Sequence, residues 1–188
     1  IGEKELKKIR EKYKLPEKYI LYLGTIEPRK NIERIVKSFL EYKNLSKSNI
    51  KLVLAGGKGW KYDKIIELVE QNMDKIILTG YIEEKDKVSL YKMAKIFVFP
   101  SLYEGFGMPV LEAMACGIPV ITSNVASLPE VVGEAGILVD PLNEKEIVEA
   151  YDRILSDENL KREMIKKGIG QSKKFQWKES AKVLEKIY

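Results

Sequence analysis

Two glutamates eight positions apart bracket the stretch Glu104-Gly-Phe-Gly-Met-Pro-Val-Leu-Glu112. Glu104 lies in a loop ahead of Gly105, Phe106, Gly107 and Met108; Glu112 falls about one turn into the helix that follows, which Gly117 stops. Glycines let the backbone approach a ligand closely and expose its N–H groups, and a helix N-terminus favours an anion. Carboxylates beside such a place accept hydrogen bonds from hydroxyls. The chemistry indicated is capture of a molecule that carries both an anion and hydroxyl groups. A single glutamate is usually solvated surface. Glu112, however, is flanked by Val110, Leu111, Ala113, Met114 and Ala115, which predicts a helix apolar almost all round and buried, and a buried carboxylate needs donors.

Arg29 and Lys30 form a second candidate cluster. They are placed at the start of a predicted helix, where the dipole makes two cations unfavourable. A phosphate-bearing ligand would offset that repulsion; two side chains reaching into water are the plain alternative. The chain has no histidine, which excludes a Ser-His-Asp site or a histidine metal site within it. Its one cysteine, Cys116, cannot form an internal disulfide, so a reducing cytoplasm is expected and the thiol is read as packing filler.

The elements that must position these residues follow one rhythm. Residues 3–14 read as a polar helix with a thin apolar edge, ended by Pro16. Apolar runs at 19–23, 51–55, 75–79, 96–99, 119–122 and 136–139 read as strands. Between them lie helical patterns: Asn31 is a predicted N-cap for a stripe of Ile32, Ile35, Val36, Phe39 and Leu40; Tyr62, Ile65, Ile66 and Val69 face inward in the next, and 86–93 forms a third. Ser127-Leu-Pro-Glu130 has the form of a capping box. Helices are predicted near 144–155, at 157–167 with Gly168 as its stop, and at 177–187 with Trp177, Ala181 and Leu184 on one face. Strands alternating with helices predict right-handed βαβ units, hence an α/β fold with a parallel six-stranded sheet and helices on both faces. Ligands of such sheets bind outside the carboxyl ends of the strands. Gly24-Thr25, Gly56-Gly57, Gly80-Tyr81 and Ser101 through Met108 all fall at such ends, as do Arg29 and Lys30, which favours the ligand over solvent.

The 188 residues suit one domain over 1–188. With 45% hydrophobic and 32% charged residues, the composition is that of a globular protein, and no apolar run approaches the roughly 18 residues of a membrane helix. The net charge of +5 comes from interleaved Lys and Glu, so no nucleic-acid stripe is expected, and attraction to anionic lipid is weak. A start at Ile1 without Met or leader reads as a start partway into a longer protein.

Glu104-Gly-Phe-Gly-Met-Pro-Val-Leu-Glu112-Ala-Met-Ala-Cys-Gly-Ile-Pro-Val-Ile-Thr122 resembles the E-x7-E region of retaining glycosyltransferases of the GT-B fold, family 4, group 1 type. Leu128-Pro-Glu-Val-Val-Gly-Glu-Ala-Gly-Ile-Leu-Val-Asp-Pro141 and Gly24-Thr-Ile-Glu-Pro-Arg-Lys-Asn31 continue the resemblance over nearly the whole chain. It implies a Rossmann-like C-terminal half of a GT-B enzyme that binds a nucleotide-diphosphate sugar. By position, Lys30 and Arg29 would hold the diphosphate, Glu104 the hydroxyls of the transferred sugar, and Glu112 the ribose. The backbone from Gly105 through Phe106 and Gly107 to Met108 would meet sugar and phosphate, and Tyr81-Ile82 would border the base. Many relatives carry Arg directly after the first glycine; Thr25 stands there, and Arg29 is the candidate to take over its charge. The Glu-Pro-Arg-Lys-Asn version looks most like mannosyltransferases that use GDP-mannose. The resemblance further implies no metal or other cofactor, and an acceptor site and a histidine in an N-terminal domain outside this chain. The isolated domain would then be inactive, and the full-length enzyme cytoplasmic with room for weak peripheral membrane association. Two other readings stand beside it: another GT-B enzyme such as a sugar-nucleotide epimerase or a phosphorylase, against which the Glu-Gly-Phe-Gly segment and the missing cofactor-lysine signature speak, and a non-catalytic basic module for RNA or membrane.

Overall fold

The computed structural model describes residues 1–60, 63–176 and 185. Six strands, β1 (Tyr19–Leu23), β2 (Lys51–Ala55), β3 (Ile76–Gly80), β4 (Ile96–Phe99), β5 (Val120–Ser123) and β6 (Ile137–Val139), form one parallel sheet in the order β3-β2-β1-β4-β5-β6. Every residue of β1, β4 and β5 is buried. Such strands read as continuous apolar runs because helices cover both faces of the sheet.

The helices among the described residues are α1 (Glu3–Lys12), α2 (Ile32–Leu45), α3 (Asp63–Glu70), α4 (Lys87–Met93), α5 (Met108–Ala115), α6 (Leu128–Val132), α7 (Glu144–Ser156) and α8 (Glu158–Ser172). The crossovers through α2 and α3 run in one direction along the sheet, and those through α4 and α5 in the other. Right-handed connections therefore place the two sets on opposite faces, and α7 returns to pack on α2. The order reverses between β1 and β4, so their carboxyl-end loops diverge and leave a crevice. The α/β architecture expected from the sequence is the one observed. No described helix is long and apolar enough to cross a membrane. Tyr62 and the final predicted helix, with Trp177, Ala181 and Leu184, lie outside the described residues.

Several local expectations change. Asn31 precedes α2 but does not cap it with its side chain. It takes a left-handed conformation (φ 61°), and its amide nitrogen donates to the carbonyls of Pro100 and Pro141 at 3.0 and 2.7 Å. Ser127 likewise forms no capping box, because its hydroxyl is spent on other carbonyls. The helix expected to stop at Gly168 runs on to Ser172. Gly168 lies inside α8 where that helix packs on α5, and a Cβ there would meet Met114 Cγ at 3.4 Å, an ordinary van der Waals contact. α5 is not buried all round: Val110, Ala113 and Met114 face the core, Leu111 and Glu112 are half-buried, and Ala115 is exposed. Gly117 does end α5. At φ 74° it forms a Schellman turn, with Gly117 N–H donating to Met114 O and Ile118 N–H to Ala113 O. The effective N-caps of α7 and α8 are Asn143 and Asp157.

The thin apolar edge of α1 is Ile9, buried, with Leu6 half-buried beside it. A polar anchor supplements it. Asp86, 4% exposed, accepts from Lys12 Nζ at 2.6 Å and from the Tyr13 hydroxyl at 2.8 Å. Burial pushes this carboxyl up, but the Lys12 and Tyr13 hydrogen bonds outweigh it and hold the pKa below its ordinary value. A depressed folded pKa stabilises above the unfolded value and loses that contribution as pH falls through the folded value. We therefore expect Asp86→Asn to lower stability at neutral pH by about 1–3 kcal/mol. The deficit relative to wild type should shrink below about pH 4, as read by urea denaturation across pH; a deficit unchanged with pH would exclude the ionised anchor.

Candidate functional site

The loops after β1 and β2 stay joined beyond the strand ends. Gly24 N–H donates to Ala55 O at 2.9 Å, Ile26 N–H to Gly57 O at 3.0 Å, and Gly59 N–H to Ile26 O at 3.0 Å. Gly56, at φ 145°, tolerates no side chain, because a Cβ there would sit 1.9 Å from the Gly24 carbonyl oxygen. The Tyr22 hydroxyl donates to Thr25 O at 2.8 Å. Burial, reinforced by the carboxylates of Glu104 and Glu27, keeps this phenol protonated by raising its pKa well above the ordinary value. Thr25 itself is exposed.

Beyond Thr25 the β1 loop makes a single 3-10 turn, Pro28–Lys30, and crosses to the β4 loop. Leu102 N–H donates to Arg29 O at 2.9 Å, and the Asn31 side chain ties the same turn to Pro100 and to Pro141 after β6. Ser123 Oγ donates to Ser101 O at 2.6 Å and brings in the end of β5. Main-chain and side-chain hydrogen bonds thus weld the loops of the carboxyl edge into one frame.

The expected cations and the first expected carboxylate meet on that frame. Lys30 Nζ lies 2.6 Å from Glu104 Oε1, and Arg29 Nη1 lies 3.1 Å from Glu104 Oε2. Arg29 also donates to Tyr103 O at 2.7 Å and pairs with Glu27 at 2.7 Å. The Lys30 and Glu104 side chains are only 12% and 10% exposed, and the ammonium stands 4.8 Å from the Phe99 ring centre, within cation–π range. The repulsion expected between the two cations at a helix start is therefore offset by Glu104 and Glu27 within the chain itself.

Past Glu104 the backbone turns through Gly105, Phe106 and Gly107 into α5. Gly107 has φ 103°, and a Cβ on it would come within 2.6 Å of Leu128 Cδ2. Phe106 and Met108 are exposed, with Phe106 edge-on to Phe175 at 5.6 Å. One turn into α5, Glu112 Oε2 accepts from the Tyr91 hydroxyl at 2.8 Å. Burial first, and Glu112 second, raise the Tyr91 pKa far above its ordinary value, so the group remains a donor. Burial also pushes the Cys116 thiol up, in keeping with a packing role. After β3, Tyr81 is exposed while the Ile82 side chain is buried, so Ile82 can offer a ligand only its main chain. A groove of about 530 Å³ opens beside Pro28, Ile32 and Leu102 without reaching either glutamate.

The structure thus gathers Arg29, Lys30 and Glu104 into direct contact and sets Gly105–Met108 and Glu112 on the same loop-to-helix segment. Sequence reasoning missed Tyr91, Ser127 and Glu27 as partners of that segment and of Arg29. Glu27 is a neighbour in the sequence; Tyr91 carries no local signal, since it reads as one more apolar-face residue of α4.

The family model described as Glycosyl transferases group 1 matches residues 3–171. The chain belongs to the group 1 glycosyl transferases. The chain is 42% identical over 171 residues to the O-antigen chain mannosyltransferase B of Escherichia coli, covering 89% of the chain and 45% of that relative. Among solved structures it is similar to sucrose-phosphate synthase from Thermosynechococcus elongatus, with TM-score 0.82 and 31% identity over 97% of this chain and 48% of that one. The C-terminal domain of a glycosyl transferase group 1 family protein from Francisella tularensis shares the fold, with TM-score 0.77 and 24% identity over 92% and 93% of the two chains. The chain spans about half the length of the E. coli relative. Its sheet is the Rossmann-like α/β half of a GT-B fold.

A nearly buried ion pair is costly to break from one side. Lys30→Met and Glu104→Gln should each destabilise the protein, by up to about 3 kcal/mol, because each strands the other charge. The double variant should lose less than the sum, with a coupling of about 1–3 kcal/mol by urea denaturation; additive losses would show that the pair does not act as a unit.

Proposed function

We propose that this chain is the donor-binding domain of a retaining hexosyltransferase that takes a nucleoside-diphosphate sugar, GDP-mannose foremost, and passes the hexose to a glycan or lipid-linked acceptor. The observation that carries the reading is the cluster of Lys30, Arg29 and Glu104 across the crevice between β1 and β4. Two cations and a carboxylate there match a ligand whose diphosphate is anionic and whose sugar is rich in hydroxyls. The name of the E. coli relative supports mannose as the hexose.

Lys30 and Arg29 hold the diphosphate and stabilise the charge that grows on it as the glycosidic bond breaks, a preorganised electrostatic role that requires no metal. On binding they exchange part of their contact with Glu104 for phosphate oxygens. Glu104, with its carboxylate thus freed, accepts from the hexose hydroxyls. Glu112 has one oxygen held by Tyr91 and offers the other to the ribose. Gly24 and Thr25 border the phosphates, the backbone of Gly105–Met108 meets sugar and phosphate, and Tyr81 with the main chain of Ile82 flanks the base. An N-terminal domain supplies the acceptor site, and the domain alone is inactive in transfer. The full-length enzyme works in the cytoplasm, with peripheral membrane contact where the acceptor is lipid-linked.

Isothermal titration should show micromolar binding of GDP-mannose or GDP to the folded protein. Lys30→Ala and Glu112→Ala should each weaken it by at least about tenfold, or roughly 1.4 kcal/mol. A folded wild-type sample that binds neither GDP nor UDP sugars would overturn the reading; tight binding of an RNA oligonucleotide in their place would turn it to a basic binding module.

A further inference from the structure

The loop that carries Glu104 has a brace on its outer side. Ser127 Oγ lies 3.0 Å from the carbonyl oxygen of Glu104 and 2.9 Å from that of Phe106, so one hydroxyl hydrogen is shared between two acceptors. In a planar trans peptide the C=O and the following N–H point in opposite directions. Two carbonyls turned toward Ser127 therefore turn the N–H groups of Gly105 and Gly107 away from it. Neither N–H finds a backbone or side-chain acceptor among the described residues, and neither does that of Met108. The two glycines are also where the peptide planes rotate most easily, so without a brace their orientation would not be fixed. The residue before Ser127 adds to the case. Ala126 holds a left-handed conformation, φ 54°, at a cost of about 1–2 kcal/mol for a non-glycine residue, and strain of this kind persists only where the surroundings impose it. Leu128, next in the chain, is buried and fills the space over Gly107.

We propose that Ser127 is a positioning residue for donor binding: it orients the Gly105 and Gly107 peptides so that both N–H groups face the diphosphate and sugar. The inference rests on the donor-binding reading above and extends it to a residue that touches no ligand. Loss of the hydroxyl frees both peptides and costs affinity through donors that are still present but no longer aimed.

The test compares wild type, Ser127→Ala and Ser127→Thr by amide-resolved NMR during titration with GDP, with thermal melting as the control on folding. Wild type should show GDP-induced shifts at Gly105 and Gly107. Ser127→Ala should bind about tenfold more weakly and lose those two shifts, while the Lys30 region still responds. Ser127→Thr, which keeps the hydroxyl, should restore both. If Ser127→Ala binds GDP like wild type with the same Gly105 and Gly107 shifts, the positioning role is overturned and donor binding stands. Failure of wild type to bind GDP overturns both.

Discussion

One carboxylate sets the electrostatics of the carboxyl edge. Glu104 lies in the loop after β4, and the two cations it neutralises, Lys30 and Arg29, come from the loop after β1. These strands are neighbours in the sheet whose connections leave in opposite directions, so their loops would separate without a tie. The ion pair closes the crevice at one point, while Asn31 and the Leu102-to-Arg29 hydrogen bond close it at others. A nearly dry ion pair is a poor source of stability, because desolvation offsets much of its attraction. Its value is in placement: both charges are held at the mouth of the crevice, with the Lys30 ammonium over the face of Phe99.

That arrangement leaves the edge neutralised in the unliganded chain. In the proposed function an incoming diphosphate would not meet bare cations; it would compete with Glu104 for them. Charge-assisted hydrogen bonds from Lys and Arg to phosphate are strong and geometrically demanding, so the proposed exchange would favour a ligand that also gives Glu104 something to accept. A sugar hydroxyl does so, and a free inorganic anion does not. The two tyrosines serve the same end. Tyr22 and Tyr91 are buried beside carboxylates and kept protonated, so they act as fixed donors to Thr25 O and Glu112 and do not add negative charge.

The six strands are legible in the sequence because a doubly covered parallel sheet demands short, unbroken apolar runs, and each such run carries its own evidence. The candidate site residues stand out in the sequence for a different reason: glycines and charges at strand ends are out of place unless something binds there. What escapes local reading are hydrogen bonds that span the chain. Asn31 has the composition of an N-cap, yet its amide is drawn to carbonyls 69 and 110 positions away. Ser127 has the spacing of a capping box, yet Glu104 and Phe106 claim its hydroxyl. Gly168 looks like a helix stop but lies inside α8, where that helix packs on α5. For Asn31 and Ser127 the residue type suits a local use, and a tertiary partner takes it instead.

The proposed function depends on the position of a diphosphate relative to Lys30, Arg29 and Glu104. A crystal structure of the protein with GDP-mannose measures that position directly. It should place phosphate oxygens about 2.7–2.9 Å from Lys30 Nζ and from the Arg29 guanidinium, with a hexose hydroxyl on Glu104 and the ribose on Glu112. A nucleotide seated away from the β1–β4 crevice, with the Lys30–Glu104 pair undisturbed, would contradict it.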